Sequence, residues 1–164
     1  MVRASQLKDV RILSCFTEPE LEQVASLGQP KSFEAHSNII IEGECHWGLF
    51  LILDGIVGIY KTNKANGDFY EVAQLRQGQQ FGEISLIDDG PRSATVKALV
   101  DTNLVYISKE AFQSFLATSM EMRVRFYQNC AKELAVRLRN LDEHYVVSQY
   151  QLWKTMLQAP KEAA

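Results

Sequence analysis

The sequence predicts an α+β chain that is mainly β: an antiparallel sheet closed or rolled on itself, preceded by helices and followed by one long helix. Three observations carry this. Between Ser32 and Ile107, short apolar runs alternate with turn pairs such as Asp54-Gly55 and Asn66-Gly67, the pattern of hairpin-connected strands. Ahead of them, Thr17-Glu18-Pro19-Glu20 combines a capping box with proline in the first turn. Beyond them, nothing from Glu121 to Leu157 is glycine or proline, so one helix runs through.

In chain order, residues 5–13 carry Leu7, Val10, Ile12 and Leu13 near helical spacing and predict a short amphipathic helix. The capped helix follows through Leu21, Val24 and Leu27, and Gly28 and Pro30 end it. Strands are expected at 32–34, 39–41, 49–53, 56–61 and 69–75, with Tyr70, Val72 and Leu75 as inward residues of the last. Two more follow at 95–99 and 103–107. Ser108 can cap a helix that buries Phe115 and Leu116, and Thr118-Ser119-Met120-Glu121 reads as a second capping box. In the long helix, Val124, Tyr127, Ala131, Leu134, Leu138, Leu141, Tyr145, Ser148 and Leu152 alternate steps of three and four. That is an imperfect heptad seam, and the helix is too long to cover only its own roll. A parallel two-chain coiled coil is expected over a helix folded back on its own domain. The expected divisions are 1–118, then the helix 119–158, then a disordered tail 159–164.

With 164 residues, the chain is long enough for one core, and its apolar and charged fractions are those of an ordinary globular protein. A net charge of −3 argues against a nucleic-acid surface, which is normally basic. The run Leu49 to Leu53 is far short of the roughly 20 residues a bilayer needs, so no membrane insertion is expected. Cysteines at 15, 45 and 130 make no disulfide framework and suit a reducing, cytoplasmic compartment.

The chemistry concentrates between Phe81 and Leu99. Gly82 lets backbone approach a ligand, and residues 83–87 can form one helical turn whose free N–H groups face an anion. Asp88-Asp89-Gly90-Pro91 reverses the chain. Arg92 then brings a planar fork suited to phosphate oxygens, with the Ser93 hydroxyl beside it. Glu83 would repel phosphate, so it is expected to accept from neutral hydroxyls of the same ligand or to pair with Arg92. An Arg–Glu pair in an ordinary loop is the plain alternative, and exposed pairs contribute only about 0–1 kcal/mol.

The runs Phe-Gly-Glu-Ile-Ser-Leu at 81–86 and Pro-Arg-Ser-Ala-Thr-Val at 91–96 resemble the phosphate-binding cassette of the cyclic nucleotide-binding domain family. That family includes catabolite-activator-type regulators and protein kinase A regulatory subunits. The capped helix at 17, the turn Ile41-Glu42-Gly43-Glu44 and Leu51-Ile52-Leu53-Asp54-Gly55 extend the likeness over about residues 7–118; Cys45-His46-Trp47 departs from it. The resemblance implies a jelly-roll-like antiparallel β-roll. It implies that Glu83 accepts from the ribose 2′-hydroxyl with the Gly82 amide nearby. Arg92 would pair with the cyclic phosphate, and the amides around Ile84, Ser85, Ser93 and Ala94 would complete its cage. It further implies that the long helix closes over the purine through Glu133, Leu134 and Arg137. Leu134 is equally a coiled-coil position, and Glu133 and Arg137 equally a solvated i,i+4 pair. Ser93, where some cGMP-preferring relatives carry threonine, leans toward cAMP over cGMP.

The function expected is therefore a cyclic-nucleotide sensor, a homodimer through 119–158 that signals to a downstream protein. A catabolite-activator-type transcription regulator adds a helix-turn-helix after the long helix; only Gln158 to Ala164 follow here, so DNA is not the expected partner unless the chain is truncated. A nucleotide-free interaction scaffold is the third reading. No enzyme activity, cofactor or metal is expected. Cys45-His46 lacks further ligands at metal spacing, the cysteines lack iron–sulfur spacing, and Ser85 and Ser93 have no histidine beside them.

Overall fold

The computed structural model describes residues 2–158, so the expected tail at 159–164 lies outside the described residues. Eight strands form two four-stranded antiparallel sheets. They are β1 (Gln29–Phe33), β2 (Asn38–Ile40), β3 (Gly48–Asp54), β4 (Ile56–Thr62), β5 (Phe69–Arg76), β6 (Gln80–Phe81), β7 (Thr95–Ala98) and β8 (Thr102–Ser108). One sheet runs β1-β8-β3-β6 and the other β2-β7-β4-β5. Asp54-Gly55 is a turn and not the expected hairpin: β3 pairs with β6 and β8, β4 with β5 and β7, and the turn carries the chain from one sheet to the other. Gly55 sits at φ +101°, and a Cβ there would stand 2.5 Å from Thr102 Oγ1. The two sheets and the long C-terminal helix are the α+β, mainly β roll that the sequence predicts.

The core lies between the sheets: Phe50, Ile52, Phe81 and Leu104 from one, Ile40, Val57, Leu75 and Val96 from the other. Alternation explains the selection, because Val96 turns inward while Thr95 and Lys97 turn to the other face. In the first sheet, Phe50 opposes Phe81 on β6 and Tyr106 on β8, which makes one row of three rings. Phe50 and Phe81 stack at 4.9 Å with planes 5° apart.

The inward assignment on β5 holds for Leu75 alone; Tyr70 and Val72 are exposed. A register shift between Ile59 and Tyr60 breaks the alternation, and the strand is a sheet edge with one neighbour. The N-terminal helix is also shorter than its periodicity predicts. It splits into α1 (Ala4–Leu7) and a 3-10 turn, Arg11–Leu13, because Val10 is extended and Arg11 N–H donates to Gly78 O at 3.1 Å. All four apolar residues of that segment are nevertheless buried.

The helix α2 (Glu18–Leu27) begins with the expected capping box, Thr17 N–H donating to Glu20 at 2.7 Å. The helix α4 (Lys109–Ala117) is capped by Ser108, whose Oγ accepts from Ala111 N–H at 3.2 Å. The long helix α5 runs Met120–Gln158. Its cap falls one residue later than the capping box predicts: Ser119 Oγ accepts from Met122 N–H, while Thr118 closes α4 by donating to Phe115 O. The chain divides into two compact units after Asn129. Within the first, Phe16, Phe112, Phe115 and Phe126 interlock, Phe112 and Phe126 meeting edge-on at 4.9 Å. Truncating a ring buried like Phe112 costs about 3–5 kcal/mol. In the second, Leu138, Leu141, Tyr145, Leu152 and Trp153 of α5 are exposed.

Candidate functional site

Most of the buried polar side chains fall in one segment: Gln80, Glu83, Ser85, Arg92 and Thr95. Polar groups are expensive to bury without partners, so such a cluster marks a built site. The segment leaves β6 at Phe81 and turns at Gly82. It then winds through the single helical turn α3 (Ile84–Ile87) and reverses at Asp88 and Asp89 to deliver Arg92 ahead of β7. Gly82 has φ +84°, and a Cβ there would stand 2.5 Å from Gly48 O and 2.6 Å from Arg92 Nη1. Only glycine fits this bend.

Arg92 is anchored at both ends. Its backbone pairs with the 41–44 turn, Arg92 N–H donating to Glu44 O and Gly43 N–H to Arg92 O, each at 2.9 Å. Its guanidinium turns inward, with Cζ 5.7 Å from the Phe50 ring centre, and Nη1 donates to Gly48 O at 3.1 Å and Gly82 O at 3.3 Å. Burial pushes the guanidinium below its ordinary pKa, while Tyr106, Glu44 and Glu83 act the other way. Its Nε is buried with no hydrogen-bond acceptor. A cation taken out of water with a spare donor is arranged to receive an anion.

Glu83 precedes α3 and is buried, only 3% exposed. Ile84 is exposed, Ser85 buried, Ser93 exposed, and Gly82 and Ala94 half-buried. The cassette candidates from Gly82 to Ala94 are thus brought onto one turn. Glu133, Leu134 and Arg137 lie on α5 in the second unit.

Sequence reasoning missed five contributors. Gly48 and Phe50 supply Arg92's acceptor and floor from 44 and 42 residues away, and no local signal marks them. Trp47, set aside as a departure, donates from Nε1 to Gly90 O at 3.0 Å. Lys109, read only as a helix residue, is buried and pairs with Asp89. A signal existed for it, because a lysine in the first turn of a helix opposes the helix dipole and needs an anion nearby. Lys61 supports the cassette from outside: it pairs with Glu42 and donates to Ser93 O at 2.5 Å. The Lys61 and Thr62 donors hold the Glu42 carboxyl below its usual range.

A cavity of about 350 Å³ lined by Tyr60, Phe69, Thr95 and Lys97 opens on the outer face of the β2-β7-β4-β5 sheet. Among the described residues, no group of three or more His, Cys, Asp or Glu could hold a metal ion. No helix there is long and apolar enough to cross a membrane.

The cAMP-dependent protein kinase regulatory subunit of Candida albicans is 30% identical over 116 residues, 71% of this chain and 24% of that protein. The chain spans 24–32% of the length of the curated relatives it matches first. A cyclic nucleotide-binding domain from Methylobacillus flagellatus has the same fold, with TM-score 0.80 and 23% identity over 90% of this chain and 86% of that one. The Thermus thermophilus catabolite activator protein has TM-score 0.71 and 26% identity, covering 85% of this chain and 63% of that one. The profile of the cyclic nucleotide-binding domain matches residues 30–119, from β1 through the cassette to the end of α4. With that match spanning more than half its length, the chain belongs to the cyclic nucleotide-binding domain family.

Proposed function

We propose that this chain is a cyclic-nucleotide sensor, binding cAMP in preference to cGMP and passing the signal through α4 and α5 to a partner protein. The observation that carries it is Arg92, a buried guanidinium with an unused Nε donor that feels the charge of the buried Glu83 carboxylate. In this reading, the cyclic phosphate takes the free Arg92 donor and the amides of Ser85, Ser93 and Ala94. Glu83 accepts from the ribose 2′-hydroxyl. Glu133, Leu134 and Arg137 close over the purine. The ligand acts by binding one cassette position better than the other, which is all a ligand can do to a conformational equilibrium. The naming of the Candida albicans relative as cAMP-dependent supports a cyclic nucleotide, and cAMP ahead of cGMP.

The same reading makes the protein a homodimer through α5, supported by its exposed apolar residues from Leu138 to Leu157. None of the cysteines at 15, 45 and 130 is in a disulfide, which supports a cytoplasmic setting.

The deciding experiment is a thermal-shift and calorimetric panel of cAMP, cGMP and their linear 5′-monophosphates. Binding must stabilise the folded state, so the cyclic forms should raise Tm and the linear ones should not. A flat response to every nucleotide at millimolar concentration overturns the proposal.

A further inference from the structure

The cassette is tied to α4 by one buried cation. Lys109 is the first residue of α4 and is 8% exposed. Its ammonium donates to Ser85 O at 3.2 Å, pairs with the Asp89 carboxylate and stands 5.4 Å from the centre of the Trp47 ring. Trp47 closes the loop: its Nε1 donates to Gly90 O at 3.0 Å, and its carbonyl accepts from Tyr106 Oη at 3.1 Å and Lys109 N–H at 3.4 Å. Asp89 is held at φ +56°, a left-handed conformation that costs a non-glycine residue energy unless its surroundings fix it. Two segments far apart in sequence therefore meet on the ammonium at the start of α4: the cassette turn, through Ser85 and Asp89, and the loop that carries Trp47.

We infer that Lys109 is a positioning residue that makes the cassette and α4 move as one body, and that Trp47 is the wall against which this joint closes. The inference rests on the cyclic-nucleotide reading of the cassette and adds the side chain through which occupancy reaches α4. A shift of Ser85 and Asp89 around a phosphate drags the ammonium, and with it the first turn of α4. Three residues further along that helix, Phe112 packs on Phe16 and Phe126. Without the ammonium, the cassette can still fold around Arg92, which is anchored separately to Gly48 and Glu44. Binding and relay are thus separable, which a purely structural role for Lys109 would not allow.

The test uses the whole 164-residue chain with Trp153→Phe, so that Trp47 is its single tryptophan and its fluorescence reports the joint. Lys109→Met, Asp89→Asn and the double variant are compared by calorimetry with cAMP, by Trp47 emission and by amide hydrogen exchange of α4. Asp89→Asn keeps a side chain that tolerates left-handed backbone and removes only the charge. In the parent, cAMP should change Trp47 emission and the exchange of α4. In Lys109→Met and Asp89→Asn both changes should vanish, while affinity falls roughly tenfold in each and hardly further in the double variant. A Lys109→Met protein whose α4 exchange still responds to cAMP like the parent overturns the inference, whatever its Tm. Should cAMP leave the parent unaffected, the nucleotide reading fails. The joint is then judged without ligand: faster α4 exchange in Asp89→Asn supports it, and unchanged exchange overturns it. The same ligand-free comparison decides if Lys109→Met does not fold.

Discussion

The guanidinium of Arg92 donates to the carbonyl oxygen of Gly48, 44 residues earlier in the chain, at 3.1 Å. This bond fixes the cation against the start of β3, directly over Phe50, instead of leaving it to swing on a surface turn. The cost of desolvating that charge is offset when an anion reaches Nε, so Arg92→Leu should weaken nucleotide binding by roughly one to two decades, the worth of one or two charge-assisted bonds. Arg92→Lys should recover little, because a point charge cannot replace the fork. Calorimetry on both variants, with a melt to confirm folding, checks this; unchanged affinity in Arg92→Leu would remove the phosphate assignment.

Two glycines in left-handed backbone separate strain from crowding. At Gly67, φ is +78° and a Cβ meets nothing within 4 Å, so Gly67→Ala should cost about 1 kcal/mol of conformational strain. At Gly82 the added carbon also collides with Gly48 O and Arg92 Nη1, so the loss should be about 2–4 kcal/mol and nucleotide affinity should fall with it. Urea midpoints of the two variants measure the difference. Equal losses would mean that the bend at Gly82 relaxes freely.

Glu20 connects α2 to the base of α5 through Arg125 at 2.5 Å, 105 residues away. Burial acts to raise the Glu20 carboxyl, but hydrogen bonds from Thr17 and Arg125 outweigh it and hold the pKa below 4.5. A carboxyl whose folded pKa is depressed stabilises the fold above its unfolded pKa and loses that contribution as pH falls through the folded value. Glu20→Gln should therefore lower stability near neutrality by about 1 kcal/mol or less, since the pair is partly solvated. The gap to wild type should close below about pH 4. Melts from pH 7 to pH 3 test the sign: a gap that widens in acid would contradict it.

The dimer proposal has a mass to match. Light scattering at micromolar concentration should give twice the mass of one chain. Leu138→Asp with Leu141→Asp, both on exposed positions of α5, should return it to one chain. Because these residues lie in the second unit, the melting of the roll should survive the change. A single-chain mass for the wild type ends the coiled-coil proposal.

What could be read from the sequence follows the range of the forces involved. The cassette was legible because Gly82, Asp88-Asp89-Gly90-Pro91 and Arg92 shape a local turn whose geometry depends on near neighbours. The caps at Thr17 and Ser108 were legible for the same reason. Tyr70 and Val72 were misplaced because the register against β4 skips Val72, an extra residue on β5 that breaks a period only the paired strand reveals. The helix over 5–13 breaks because Gly78, a distant partner, takes the Arg11 N–H. Arg92's acceptor, Lys109's anion and the Glu20–Arg125 pair all lie across long sequence separations, and no window of neighbours contains them.

Phe50 has one further consequence, for how such a chain would drift. The ring serves two masters: it floors the guanidinium of Arg92, and it ties Phe81 to Tyr106 across the sheet. Selection for mere foldedness would thus preserve the aromatic row long after any ligand had been abandoned. A descendant that had fallen silent would still carry its rings and would betray the loss only at the arginine and the glutamate.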